Sequence, residues 1–302
     1  MSTTRRPPRS RRRPAGKGTE ALKNSRNAGW GRRVMPLAAV GALVVGLVAY
    51  REAQVALHPV PDPAAVPPEV LAEVTGVPAT VSDRVGVGSG NGAPRPIRGA
   101  PPLASAGRPL IVYEGAEYCP YCAAERWVLV VALSRFGTWR GLEESESSPL
   151  DVDGGTATFT FVHTSYSSRY LVFDSVEVQS NRPAGFLGAI MGSYASLQRP
   201  TPLEKHLMDT YDRAPYVATA GEIPFVDVAN RFVLGGSSFD PAELAGLSHR
   251  RIAADLADPT SPVARAVVGS ANVFEAAVCR ATNGQPASVC TSPGVQAAHL
   301  PA

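Results

Sequence analysis

Residues 123–136 contain neither Pro nor Gly, and Trp127, Val128, Leu129, Val130, Val131, Leu133 and Phe136 make a helix through them apolar nearly all round. Glu125, Arg126 and Arg135 are the exceptions. A helix without a wet face belongs inside a core, so other layers have to enclose it. Immediately ahead of it stand Cys119-Pro120-Tyr121-Cys122, half of the four cysteines of the chain.

The surrounding segments supply candidate layers. Residues 110–113 are a short apolar run, expected as a buried strand, and Gly115 follows. Residues 143–153 read as an acidic loop. Residues 156–162 alternate polar and apolar and are rich in β-formers, which predicts a strand; 170–178 is a further extended candidate. Residues 201–212 predict a helix opened by Pro202. Residues 223–228 and 231–236 read as two short strands joined through Ala229-Asn230, an antiparallel hairpin. Asp240-Pro241 starts another helix, with Asp as N-cap, and a last helix is expected over about 260–280. This order of elements fits an α/β layer of thioredoxin-like type, with an inserted strand and a C-terminal helical extension.

Charge divides the chain before that domain begins. Residues 1–33 hold eleven Lys or Arg and one acid, Glu20, while the rest holds 18 bases against 25 acids. Residues 34–50 then run 17 residues without a charge between Arg32-Arg33 and Arg51-Glu52. As a helix they span roughly 25 Å, the short end of the membrane-crossing range. Basic residues stay on the cytoplasmic side. The reading is a single-pass anchor with a cytoplasmic N-terminus and an extracytoplasmic domain. A cleaved signal peptide is the rival, but its apolar region is shorter and no small-x-small site follows at once. A nucleic-acid role for the basic tail is not expected. Residues 51–108 read as a Pro/Gly-rich linker with short helices near 68–74 and 77–85. The domain itself is expected over 109–292, with a tail at 293–302.

In an exported domain two cysteines three apart at a helix mouth read as a dithiol. Cys119 in the first turn faces unpaired N–H groups and the positive end of the helix dipole, which favours thiolate. It is the expected nucleophile, and Cys122, one turn deeper, the resolving thiol. Pro120 suits an early helix position because it needs no N–H partner there. In thioredoxin-like folds a cis-proline at the start of the hairpin strand lies against the pair. Pro224 has that context, with Ile223 shaping the substrate-facing surface beside Tyr118, Pro120 and Tyr121; the alternative is an ordinary trans proline at a strand start. Glu125 is a candidate proton relay beneath the dithiol. A zinc site needs four ligands in typical spacing. Cys279 and Cys290 are eleven apart and His163, His206 and His249 are scattered singly, so neither metal nor cofactor is expected. Cys279 and Cys290 read either as a structural disulfide or as a second redox pair.

The stretch Glu114-Gly115-Ala116-Glu117-Tyr118-Cys119-Pro120-Tyr121-Cys122-Ala123-Ala124-Glu125-Arg126-Trp127, continuing through Ala132-Leu133-Ser134-Arg135-Phe136-Gly137, resembles the domain-of-unknown-function 929 family. Those proteins are thioredoxin-like and often carry an N-terminal membrane segment. The resemblance runs from about 66 to 292 and includes Gln285-Pro286-Ala287-Ser288-Val289-Cys290. Pro-Tyr between the cysteines is also similar to glutaredoxins, but those are small cytosolic proteins, and the export signal argues against a glutathione-linked role. The expected activity is thiol–disulfide exchange on cysteine-containing exported proteins, with a membrane redox partner. The alternative is a non-catalytic interaction or scaffold domain of the cell envelope whose cysteines are structural.

Overall fold

The structure is a computed structural model that describes residues 28–57, 59–185, 188 and 191–301. The basic tail lies outside the described residues up to residue 27. The chain forms two compact units, residues 1–50 and 51–302. In the first, helix α1 (Ala28–Leu57) carries the run expected as an anchor, with Val40, Leu43, Val44, Val45 and Leu47 exposed. The side chains of 34–38 lie outside the described ones. No helix among the described residues is long and apolar enough to cross a membrane.

The second unit is mixed α/β. Its central strand, β4 (Arg108–Gly115), is flanked on one side by β9 (Val172–Glu177), in parallel. On the other side lies β12 (Phe225–Val228), antiparallel, followed by β13 (Phe232–Gly235) and the short edge strand β2 (Arg95–Pro96). The two-residue pleat sends alternate side chains of β4 to opposite faces. Ile111 and Tyr113 join the large core with helix α4 (Pro120–Ser134). Leu110 and Val112 join a smaller core with Leu207 and Tyr211 of α5 (Pro202–Tyr211). Both faces of the sheet are thus covered, as its continuous apolar strands require. A Thr201/Glu204 capping box opens α5. In the β12–β13 turn the Arg231 N–H donates to the Val228 carbonyl at 2.9 Å across Ala229 and Asn230, whose φ are 57° and 53°; Val228 pairs with Phe232, so the loop is three residues, 229–231.

Helix α4 is enclosed as its sequence requires: residues 122–133 are all buried. The sheet lies on one side and α7 (Pro262–Ala281) on another. A small three-stranded sheet of β1 (Ala64–Ala65), β6 (Glu143–Glu146) and β7 (Ala157–Thr160) covers the rest. Three expectations change here. The strand predicted at 156–162 forms, but outside the central sheet; β9 occupies the place beside β4. The cause is visible in its bonds. Trp127 Nε1 donates to the Ala157 carbonyl at 2.8 Å, and Thr158 Oγ1 donates to the Ala123 carbonyl at 2.8 Å, which fastens β7 across α4. The acidic stretch read as a loop also contributes a strand, β6, because β7 and β1 pair both its edges. The helix expected after Asp240 is one 3-10 turn, Pro241–Leu244, capped by Asp240 as expected.

Most of the stretch read as linker is built into this unit. Helices α2 (Pro68–Thr75) and α3 (Ala79–Val85) place Val70, Val74 and Val81 in the core. Gly88, at φ +61°, lies against the backbone of Arg265 and Gly269, where a Cβ has no room.

Cys279 and Cys290 form a disulfide. Just past α4, Arg135 Nη1 donates to Glu275 Oε2 at 2.5 Å and Nη2 to Ser292 Oγ at 3.3 Å. These contacts put the disulfide at the C-terminal end of α4, while Cys122 sits in its first turn. At about 1.5 Å per residue the two ends of the helix are roughly 20 Å apart. Direct exchange with Cys119 or Cys122 is out of reach in this arrangement, which supports the structural reading over the second redox pair. Replacing Cys279 and Cys290 together by Ser is expected to lower unfolding free energy by about 2.5–3 kcal/mol, the chain-entropy value for so short a loop. Urea denaturation under non-reducing conditions measures it, and alkylation of Cys119 in the same variant is expected to stay unchanged.

Candidate active site

The first turn of α4 brings the cysteines to one end of the enclosed helix. Cys119 is the N-cap residue, in extended conformation, and Pro120 follows at the first helical position. The backbone N–H of Cys122 donates to Cys119 Sγ at 3.4 Å, so the sulfur takes the place of a capping oxygen. The N–H of Cys119 donates to the Ala116 carbonyl at 3.2 Å. Both thiols are free; Cys119 keeps 6% of its surface exposed and Cys122 none.

The two thiols are pushed in opposite directions by the same geometry. The hydrogen bond from the Cys122 thiol is the largest influence holding Cys119 below the ordinary thiol range. The N–H groups of Cys122 and Tyr121 and the charge of Arg126 add to it, against the effect of burial. Cys122 is pushed well up, first by burial and then by its hydrogen bond and proximity to the Cys119 sulfur. A nearly buried, acidified thiol at the helix cap therefore sits beside a fully buried one pushed toward its protonated form.

Ile223 and Pro224 face this pair across the strand order. The Ile223-Pro224 bond is cis, and Cys119 Sγ lies 3.8 Å from the Ile223 carbonyl oxygen. Phe225, next along, pairs with Glu114 of β4. Burial pushes the Glu114 carboxyl up to about 7 and Asp212 up to about 6, while the N–H groups of Gly221 and Glu222 bond Asp212 and tie down the loop ahead of Ile223.

Tyr118 and Tyr121 diverge on the two sides of the dithiol. Tyr121 is exposed and lines a groove of about 580 Å³ with Glu222, Ile223, Phe239 and Asp240. Tyr118 is half-buried and stacks on Tyr194 with ring centroids 4.1 Å apart, beside a second groove of about 340 Å³ that includes Leu150 and Asp151. Burial, reinforced by the two sulfurs, pushes its phenol up to about 12.

Glu125 is fully buried and turns toward the segment after β13. Its Oε2 accepts from the Ser238 N–H at 2.8 Å, and Oε1 has no partner. Burial pushes the carboxyl up to about 8. The residue read as a proton relay thus has its carboxyl raised toward neutral pH, and Ser237 and Phe239, on either side of its partner Ser238, border the Tyr121 groove.

Two groups that the sequence reading did not assign to the site stand behind the dithiol. Arg126 forms parallel bonds to Glu177 at the end of β9, Nε to Oε1 and Nη2 to Oε2, both 2.8 Å. Nη2 also donates to the Ala116 carbonyl at 2.9 Å. Arg126 lies four residues past Cys122, hence on the same helix face, and that spacing was the one signal available. Glu177 carried none. Among the described residues no cluster of three or more His, Cys, Asp or Glu is arranged to hold a metal ion.

Residues 99–280 match a family model described as a domain of unknown function (DUF929). No curated protein and no solved structure gives a match.

The raised Glu125 carboxyl has a measurable consequence. Its unfolded value is 4.5 and its folded value about 8, so the folded protein keeps a proton that the unfolded chain releases. That contribution is fully present below pH 4.5 and is lost as pH rises through 8, at up to about 1.4 kcal/mol per pH unit inside the window. Relative to wild type, Glu125→Gln is expected to gain stability steadily between pH 5 and 8. Urea denaturation at three pH values tests this. Glu275 and Asp227, also pushed up by burial, cancel in the difference, and a difference that stays flat with pH contradicts the assignment.

Proposed function

This chain belongs to the family described as a domain of unknown function (DUF929), and from the geometry of its dithiol we propose that it is a thiol–disulfide oxidoreductase. The observation that carries the reading is the pairing of opposites at the mouth of α4. Cys119 accepts an N–H at the helix cap, is acidified and keeps 6% of its surface open, while Cys122 is fully buried and pushed toward its protonated form one turn below.

The exchange follows from that arrangement. Cys119 thiolate attacks one sulfur of a substrate disulfide; a mixed disulfide forms and the other substrate sulfur leaves as thiolate. Cys122 then loses its proton and its sulfur attacks Cys119 Sγ. The Cys119–Cys122 disulfide forms, and the second substrate sulfur leaves. Two electrons pass to the substrate, and the reverse sequence oxidises a substrate dithiol. The Ile223 carbonyl edge and the grooves of Tyr118 and Tyr121 offer places for an extended substrate segment on either side of the cysteine.

The fold belongs to this proposal as well. Parallel β4 and β9 with α4 between them, followed by the β12–β13 hairpin entered through Pro224, support a thioredoxin-like layer. In it β5 (Thr138–Arg140) to β8 (Ser165–Ser167) form an insertion and α7 an extension. We further read the domain as extracytoplasmic and anchored through residues 34–50, its substrates being cysteine-containing exported proteins and its electrons exchanged with a membrane redox partner. The basic residues 1–33, the uncharged run after them and the Cys279–Cys290 disulfide support this.

Trapping distinguishes this from a scaffold with idle cysteines. Cys122→Ser is expected to accumulate mixed disulfides with exported proteins, seen as adducts on non-reducing gels that vanish with dithiothreitol. Cys119→Ser and the double variant are expected to give none. If Cys122→Ser captures nothing and Cys119 resists alkylation before and after mild reduction, the chain is a scaffold instead.

A further inference from the structure

We propose that Arg126, held by Glu177, is a positioning residue that sets the thiolate character of Cys119 and with it the redox equilibrium of the pair. The inference rests on the oxidoreductase reading and names the group that tunes it.

Both side chains are completely buried. Withdrawing two charges from water costs several kcal/mol per ion, and apolar residues of similar volume often serve stability as well or better. A buried pair of this kind is therefore poorly explained by stability. Its location suggests another use. The Ala116 carbonyl accepts both from Arg126 Nη2 and from the N–H of Cys119, so one oxygen links the guanidinium to the backbone of the nucleophile. Arg126 Nη1 is buried with no hydrogen-bond partner.

The charged and titratable neighbours come from three elements. Glu177 lies at the end of β9, Tyr113 on β4 and the two cysteines on α4, with Glu117 beyond Glu177. Tyr113 holds its proton because burial pushes its phenol far up. Glu177 and Arg126 balance each other while both thiols are protonated. When Cys119 ionises, the guanidinium acquires a second anion nearby, and its charge acts on both sulfurs. Glu177 opposes this directly at Cys122, and as the counter-charge of the guanidinium it weakens the cation's pull on Cys119. The pair thus sets a balance between a thiolate that is too stable to leave and a thiol that does not attack.

Two opposed substitutions test it. Arg126→Met removes the cation and is expected to move the pH midpoint of Cys119 alkylation by iodoacetamide upward. The rate at neutral pH is expected to fall about tenfold for each pH unit moved. The equilibrium with glutathione is expected to shift toward the disulfide, about 30 mV for a tenfold change. Glu177→Gln keeps the cation and neutralises its counter-charge, so both readouts are expected to move the other way. A purely structural pair loosens the site in both variants and shifts them in the same direction; that result, or no shift in either, overturns the proposal. If Arg126→Met does not fold, Glu177→Gln decides alone: it keeps the cation, and an alkylation midpoint that does not move below wild type overturns the proposal. A wild-type Cys119 that shows no thiolate midpoint below that of the unfolded chain, and no equilibrium with glutathione, instead removes the oxidoreductase reading itself.

Discussion

Helix α4 is buried on every side, and that single condition organises the molecule around it. An enclosed helix cannot send polar side chains to water, so each one on α4 needs a partner from the layer it faces. Arg126 finds Glu177 at the end of β9, Glu125 finds the Ser238 N–H after β13, and Arg135, just past the last turn, finds Glu275 on α7. Three exceptions to an apolar helix therefore become three ties to three different elements. Losing one partner leaves a charge or acceptor buried alone, which costs more than the pair itself contributes.

The same enclosure gives the dithiol its asymmetry. A helix supplies unpaired N–H groups only in its first turn, and here a sulfur caps them. Cys119 stands where the N–H groups converge, and Cys122 stands where neighbouring layers shut out water. Neither cysteine differs from the other chemically; their opposite acidities come from one helical turn of separation. The electrostatics at the back of the pair then follow from the requirement that Arg126 be satisfied internally. On the proposed reading, the guanidinium that is satisfied inside the core also tunes the thiol.

Much of this was legible in the sequence because the relevant signals are local. The unbroken apolar character of 123–136 predicts an enclosed helix, Ala229-Asn230 between two apolar runs predicts the tight hairpin, and Pro202 and Asp240-Pro241 mark starts of helical turns at their observed places. What was not legible depended on partners far along the chain. Period-two alternation at 156–162 identifies a strand but says nothing of its neighbour, which is decided by Trp127 and Thr158 bonding across to α4. Glu143-Glu144 reads as a loop until β1 and β7 supply two paired edges. Pro and Gly in 51–108 suggest a tether, but the apolar spacing at 68–74 and 77–85 already marks short helices packing on the domain, and these form and bury Val70, Val74 and Val81. Glu177, 51 residues from Arg126, had no sequence signal of its role at all.

The two ends of α4 also differ in what holds them. At the C-terminal end Arg135, Glu275, Ser82 and Ser292 form a connected polar cluster, and the Cys279–Cys290 bond closes the chain beside it. At the N-terminal end Cys122 is fixed by burial, while the Cys119 sulfur, at the cap, is held by the Cys122 N–H and thiol and by a long contact to the Ile223 carbonyl. Joining the two sulfurs requires one of them to move. Displacing Cys122 disturbs a close-packed core, whose side chains resist shifts of even a methylene's volume. Cys119 has fewer contacts to break. On the proposed reading, oxidation and reduction are accommodated at the cap of the helix, and the enclosed remainder, with Arg126 and Glu177 behind it, stays as the fixed electrostatic reference against which the Cys119 sulfur reacts.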